Sequence, residues 1–173
     1  GKQAIKGFHK EKINTRFIFT HKDEASGAAL IIINEKGENC IVVAPGANAH
    51  LLPEDIEKVT RLCRADIILM QLEIPLETVV YVVRSAKANH QKVVLNPAPA
   101  QKLSKEILDG LCLITPNETE VFLLTGVEVS SEESASRAAD CLLSQGVQNV
   151  VITLGEQGAY FQNSSSLSAD QLP

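Results

Sequence analysis

Leu111-Cys112-Leu113-Ile114-Thr115-Pro116-Asn117-Glu118-Thr119-Glu120 is the stretch on which the reading of this chain turns. The apolar residues before Thr115 make a short buried strand. Pro116 ends it, and Asn117 opens a helix with Glu120 three positions on. Residues at i and i+3 share a helix face, so the amide and the carboxylate can reach one point. Two readings fit that pair. An amide oxygen and a carboxylate suit a hard cation such as Mg2+ that bridges to phosphate oxygens. The same two residues match the asparagine-to-glutamate capping pattern, in which each side chain accepts a backbone N–H at the helix start. The two roles are not exclusive.

Strands and helices alternate on both sides of this stretch. Asp66-Ile67-Ile68-Leu69-Met70 and Lys92-Val93-Val94-Leu95 read as buried strands, and Val150-Val151-Ile152-Thr153-Leu154 as the most continuous one. Pro53, followed by Glu54 and Asp55, starts a helix expected to reach about Arg64, with its carboxylates where the helix dipole favours them. A second helix runs from Pro75 to about Asn89, and a short one over 103–108. Apolar positions at Ala135, Ala138, Ala139, Leu142 and Leu143 predict a further helix over 131–145, closed by Gly146. This alternation predicts an α/β fold, a parallel sheet with helices on both faces. Residues 17–45 read differently. Phe17-Ile18-Phe19-Thr20, Ala29-Leu30-Ile31-Ile32-Ile33 and Cys40-Ile41-Val42-Val43 predict a small antiparallel sheet, with turn chemistry over 34–39.

Ligands of parallel α/β sheets bind outside the carboxyl ends of the strands. That rule selects the loops 71–75, 96–100, 116–120 and 155–158. Glu73 can accept hydrogen bonds from sugar hydroxyls, or is a solvated glutamate complementing the following helix. Asn96 stands where it can point into the crevice, on a loop stiffened by Pro97 and Pro99 whose role can equally be structural. Thr153-Leu154-Gly155-Glu156-Gln157-Gly158 has glycines where backbone can approach phosphates and present N–H groups. A lone G-x-x-G also describes a plain β-turn. No Walker-type phosphate loop and no dinucleotide-binding glycine fingerprint occurs. The two loops 115–120 and 153–158 together point to a nucleotide-dependent kinase.

A length of 173 residues fits one ordinary domain, and 45% hydrophobic content is enough for a core. The net charge of −5 gives no electrostatic reason to bind nucleic acid or an acidic membrane, and 4% aromatic content argues against base-stacking surfaces. Cys40, Cys63, Cys112 and Cys141 are scattered and read as buried free thiols. The histidines at 9, 21, 50 and 90 have no metal-ligand spacing and read as surface residues. No apolar run reaches the roughly 18 residues of a membrane span, and the start reads as no secretory signal. A cytoplasmic location is expected.

Taken in order, five strings resemble the ribokinase family of ATP-dependent sugar kinases. They are Gly46-Ala47-Asn48-Ala49, Met70-Gln71-Leu72-Glu73, Asn96-Pro97-Ala98-Pro99-Ala100, Thr115-Pro116-Asn117-Glu118-Thr119-Glu120 with Leu124-Thr125-Gly126, and Ile152-Thr153-Leu154-Gly155 with Gly158. The likeness spans about residues 15–162. It implies a ribokinase-like fold, with 1–16 the end of a helix and a linker, 17–45 part of a β lid, and 46–173 an α/β nucleotide- and sugar-binding domain incomplete at its C-terminus. It implies γ-phosphoryl transfer from ATP to the 5-hydroxyl of D-ribose. Glu73 and Asn96 would bind the sugar, Asn117 the nucleotide phosphates, and Glu120 would place Mg2+. Thr153, Leu154, Gly155, Glu156, Gln157 and Gly158 would line the ATP site. A homodimer through the lid strands and a monovalent cation such as K+ are also implied.

The chain departs from the family pattern in two places. It has no Gly-Gly pair, and no G-A-G-D-like segment precedes Pro173. That segment would carry the base aspartate, the anion hole and the K+ site, so the chain reads as a central fragment and is expected to be inactive alone. The strand at 150–154 is expected to lack its neighbours. Two alternatives stand beside this reading. One is a catalytically dead product acting as a binding or dimerising protein. The other is a fragment of another sugar or nucleoside kinase of the family.

Overall fold

The computed structural model describes residues 1–33, 39–60 and 65–166. The chain forms two compact units, residues 1–63 with 73–75, and residues 64–72 with 76–173. In the first lie helix α1 (Lys2–Lys10), strands β1 (Ala28–Ile33) and β2 (Asn39–Ala44), a 3-10 turn at Gly46–His50, and helix α2 (Pro53–Thr60). β1 and β2 pair antiparallel from Ala28 opposite Ala44 to Ile33 opposite Asn39. Successive side chains of a strand point to opposite faces, and Leu30 and Ile31 are 64% and 56% exposed, so neither face of this pair is closed over.

The strand expected at Phe17-Ile18-Phe19-Thr20 does not form; these residues are turn and irregular backbone. β-propensity expresses itself only where a neighbour supplies pairing and packing, and β1 and β2 pair with each other. Of the turn expected at 34–39, Asn39 instead opens β2, and residues 34–38, the expected helix end at 61–64 and Cys63 lie outside the described residues. Cys112 and Cys141 are free and half-buried, and all four histidines are exposed.

The second unit holds β3 (Ile67–Met70), α3 (Leu76–Ala88), β4 (Lys92–Leu95), α4 (Lys105–Leu108), β5 (Leu113–Ile114), α5 (Glu118–Thr125), α6 (Glu132–Leu143), β6 (Asn149–Thr153) and β7 (Ala159–Asn163). Its sheet runs β3-β4-β5-β6-β7, parallel as far as β6, with β7 antiparallel to β6. This corrects the expectation that the strand at 150–154 lacks neighbours. β5 borders it on one side and β7 on the other, because Gly155 and Gly158 turn the chain straight back.

Strands that follow one another in space as in sequence, joined by right-handed crossovers, carry their connecting helices on the same side. Burial follows this, so among the described residues the core lies on one face of the sheet where helices were expected on both. Val93, Leu95, Ile114, Val150 and Ile152 are fully buried, as are Val79, Ala86, Ala138 and Leu142 of α3 and α6. α3 packs on β4, and α6 on β6 and β7. The alternate positions Ile67, Leu69, Val94, Val151 and Phe161 are half-buried or exposed, with Leu69 at 77%. Leu95→Ala is therefore expected to cost about 2–5 kcal/mol, and Leu69→Ala less than about 0.5 kcal/mol. Urea unfolding checks both, and an equal cost for the two would contradict the one-sided core.

Candidate functional site

The site is assembled from the ends of β5 and β6. Thr115 continues the pairing of β5 by donating its N–H to the Leu95 carbonyl at 3.0 Å. Pro116 has no N–H to donate, so it is tolerated where the ladder ends, and it is buried. Its carbonyl accepts the Thr153 N–H at 2.9 Å. Asn117 and Thr153 then form an isolated parallel bridge. One backbone contact thus brings the start of α5 against the end of β6, although 36 positions separate them in sequence.

At the start of α5 the capping reading is realised. The Asn117 Oδ1 accepts the Glu120 N–H at 2.8 Å, and the Glu120 Oε2 accepts the Asn117 N–H at 2.8 Å. Each side chain satisfies a helix-end donor that would otherwise lack an intrahelical partner. Glu120 is only 8% exposed, while Asn117, Glu118 and Thr119 are exposed. The reciprocal bonds occupy one carboxylate oxygen of Glu120 and the amide oxygen of Asn117, and hold both groups in place.

Beyond Thr153 the chain makes a 3-10 turn, Gly155–Gln157, before β7 begins. Leu154 donates to the Gly158 carbonyl at 2.8 Å, Gln157 to the Leu154 carbonyl at 3.0 Å, and Gly158 to the Gly155 carbonyl at 3.2 Å. Gly155 and Gly158 have φ of 55° and 90°, the region that side chains with a Cβ disfavour. These bonds leave the N–H groups of Gly155 and Glu156 outside the turn's own ladder. Thr153, Gly155, Glu156, Gln157 and Gly158 are exposed, and Leu154 is half-buried.

The remaining candidates stand elsewhere. Asn96 is half-buried at the end of β4 and donates its N–H to the Met70 carbonyl at 2.9 Å. Leu72 and Ala98 join the loops after β3 and β4 at 2.8 Å. Glu73 is exposed and groups with the first unit. Sequence reasoning passed over one feature, a cavity of about 450 Å3 lined by Glu118, Ser130, Ser131, Gln157, Tyr160 and Phe161 among others. Its signal was the short run Ala159-Tyr160-Phe161 directly after Gly158.

If the Asn117 side chain caps α5, Asn117→Ala should lower stability by about 0.5–2 kcal/mol while Asn117→Asp should be close to neutral. Urea unfolding measures the difference. Equal loss in both variants would contradict the cap.

The family model of pfkB family carbohydrate kinases matches residues 1–173. The ribokinase of Haemophilus influenzae is 45% identical over 161 residues, which cover 92% of this chain and 53% of that protein. Among solved structures, Sa239 superposes with a TM-score of 0.87 at 38% identity, over 95% of this chain and 55% of that one. Arabidopsis thaliana ribokinase, solved with ribose and ATP, superposes with a TM-score of 0.72 at 29% identity, over 84% of this chain and 48% of that one. The chain spans about half the length of the curated relatives it matches. By this family match the chain belongs to the pfkB family of carbohydrate kinases.

Proposed function

We propose that this chain supplies the nucleotide-binding part of a ribokinase, which moves the γ-phosphoryl group of ATP to the 5-hydroxyl of D-ribose. The observation that carries the reading is the bridge between Asn117 and Thr153, which unites two loops at one end of the sheet. Phosphoryl transfer asks a protein mainly for positioning and charge stabilisation. In this reading the Asn117 side chain and the N–H groups of Gly155 and Glu156 meet phosphate oxygens. Thr153, Leu154, Gln157 and Gly158 line the nucleotide. Glu73 and Asn96 are the sugar contacts, a role that suits a carboxylate and an amide facing hydroxyl groups.

Charge bears on the metal. Neither 115–120 nor 153–158 contains a Lys or Arg, whereas Glu118, Glu120 and Glu156 are acidic. A triphosphate beside them calls for a cation. Among the described residues no group of three or more His, Cys, Asp or Glu is arranged to cage a metal. Mg2+ does not need a cage; it commonly binds one or two carboxylates, waters and phosphate oxygens. Glu120 fits that demand, since Asn117 engages only its Oε2. Mg2+ bound there would neutralise charge on the phosphates, with Glu120 holding it through water.

Calorimetric titration with Mg-ATP tests the assignment. Asn117→Asp keeps the cap but sets a second carboxylate against the phosphates, and Glu120→Ala removes the metal-facing oxygen. Each should weaken Mg-ATP binding by about tenfold or more, the scale of one lost hydrogen bond to a charged group. Affinities within about twofold of the original for both variants, or no binding by the original chain, would contradict the reading.

A further inference from the structure

The turn that carries Gly155 and Gly158 is held from a distance. Among the described residues β7 is an edge strand, so its register on β6 is defended there by one partner strand only. On the side facing α6, however, β7 carries Gln162, which is 8% exposed. Its Nε2 donates to the Asp140 Oδ1 at 2.7 Å, and its Oε1 accepts the Tyr160 hydroxyl at 2.8 Å and the Ser136 hydroxyl at 3.4 Å. Ser136 and Asp140 lie one turn apart on α6, and Tyr160 and Gln162 two residues apart on β7, so two like-facing pairs interlock.

A buried amide costs free energy unless it is hydrogen-bonded. A slip of β7 by one residue would flip its side chains, carry Gln162 away from α6 and bring Phe161 or Asn163 to face it. The same slip would move Gly155 and Gly158 off the positions that require positive φ. The network around the buried Gln162 therefore admits one register, in which Thr153 pairs with Ala159 and the turn between them has one shape. We propose that Gln162 and Asp140 are positioning residues for the 154–158 turn, and through it for the nucleotide. They act without touching the nucleotide, and the proposal rests on the nucleotide reading of that turn.

The test compares Asp140→Ala, which strands the Gln162 amide, with Asp140→Asn, which keeps a carbonyl acceptor at the same place. Hydrogen exchange across the chain and calorimetric Mg-ATP binding are read on both. In Asp140→Ala, the bonded amides of Leu154, Gln157 and Gly158 should exchange about tenfold faster while β3 and β4 hold their protection, and Mg-ATP affinity should fall by a similar factor. Asp140→Asn should restore both. Exchange that rises equally in β3 and β4, or a turn unaffected by Asp140→Ala, would overturn the positioning role. Turn amides that loosen as expected in a chain whose original form does not bind Mg-ATP would uphold the register lock and overturn the nucleotide reading alone.

Discussion

One hydrogen bond organises the site, the Thr153 N–H donated to the Pro116 carbonyl at 2.9 Å. Proline leaves its own N–H side blank, and β5 has finished pairing by that point. The carbonyl of Pro116 therefore remains to be satisfied in a buried place, and β6 satisfies it. Once that contact exists, Asn117 must lie beside Thr153. A helix start and a glycine turn then share one end of the sheet. Similar bonds tie Asn96 to Met70, Ala98 to Leu72 and Thr115 to Leu95, so the carboxyl-end loops of β3, β4 and β5 are laced before any ligand arrives. A frame of this kind presents binding groups at small reorganisation cost, which is what phosphoryl transfer rewards.

The capping box serves the fold and, in the proposed reading, a ligand as well. Its two bonds at 2.8 Å satisfy the helix start, and they also fix where the Asn117 amide and the second oxygen of Glu120 stand. Capping and phosphate chemistry read as competing explanations from sequence. In the proposed reading the first prepares the second. In the proposed reading, the acidic character of the surrounding residues, with no Lys or Arg in either loop, leaves charge balance to a metal that travels with the nucleotide.

Local patterns were legible and remote ones were not. Helix and strand positions at Leu76–Ala88, Lys92–Leu95 and Glu132–Leu143 follow from apolar spacing, which is a property of neighbours in sequence. Phe17-Ile18-Phe19-Thr20 has as much β-propensity as its neighbours but, among the described residues, no strand to pair with. β7 escaped notice because Ala159-Tyr160-Phe161-Gln162-Asn163 is short and half polar; its existence depends on the hairpin that the two glycines close. The Gln162–Asp140 bond spans 22 positions and joins a strand to a helix, so no spacing rule announces it. The side on which helices lie is likewise set by strand order, which is a tertiary property. Of the candidate residues, Asn117, Glu120 and the 153–158 turn come together in the second unit, and their spacing had linked only the first two.

The central claim is that the cap of α5 and the turn after β6 are one nucleotide site. Titrating isotopically labelled chain with Mg-ATP, and following its backbone amide signals by NMR, tests this most directly. The account predicts that Asn117, Thr153, Gly155, Glu156 and Gly158 move together with a single saturation curve. Shifts confined to one of the two loops, or centred on other residues, would contradict it.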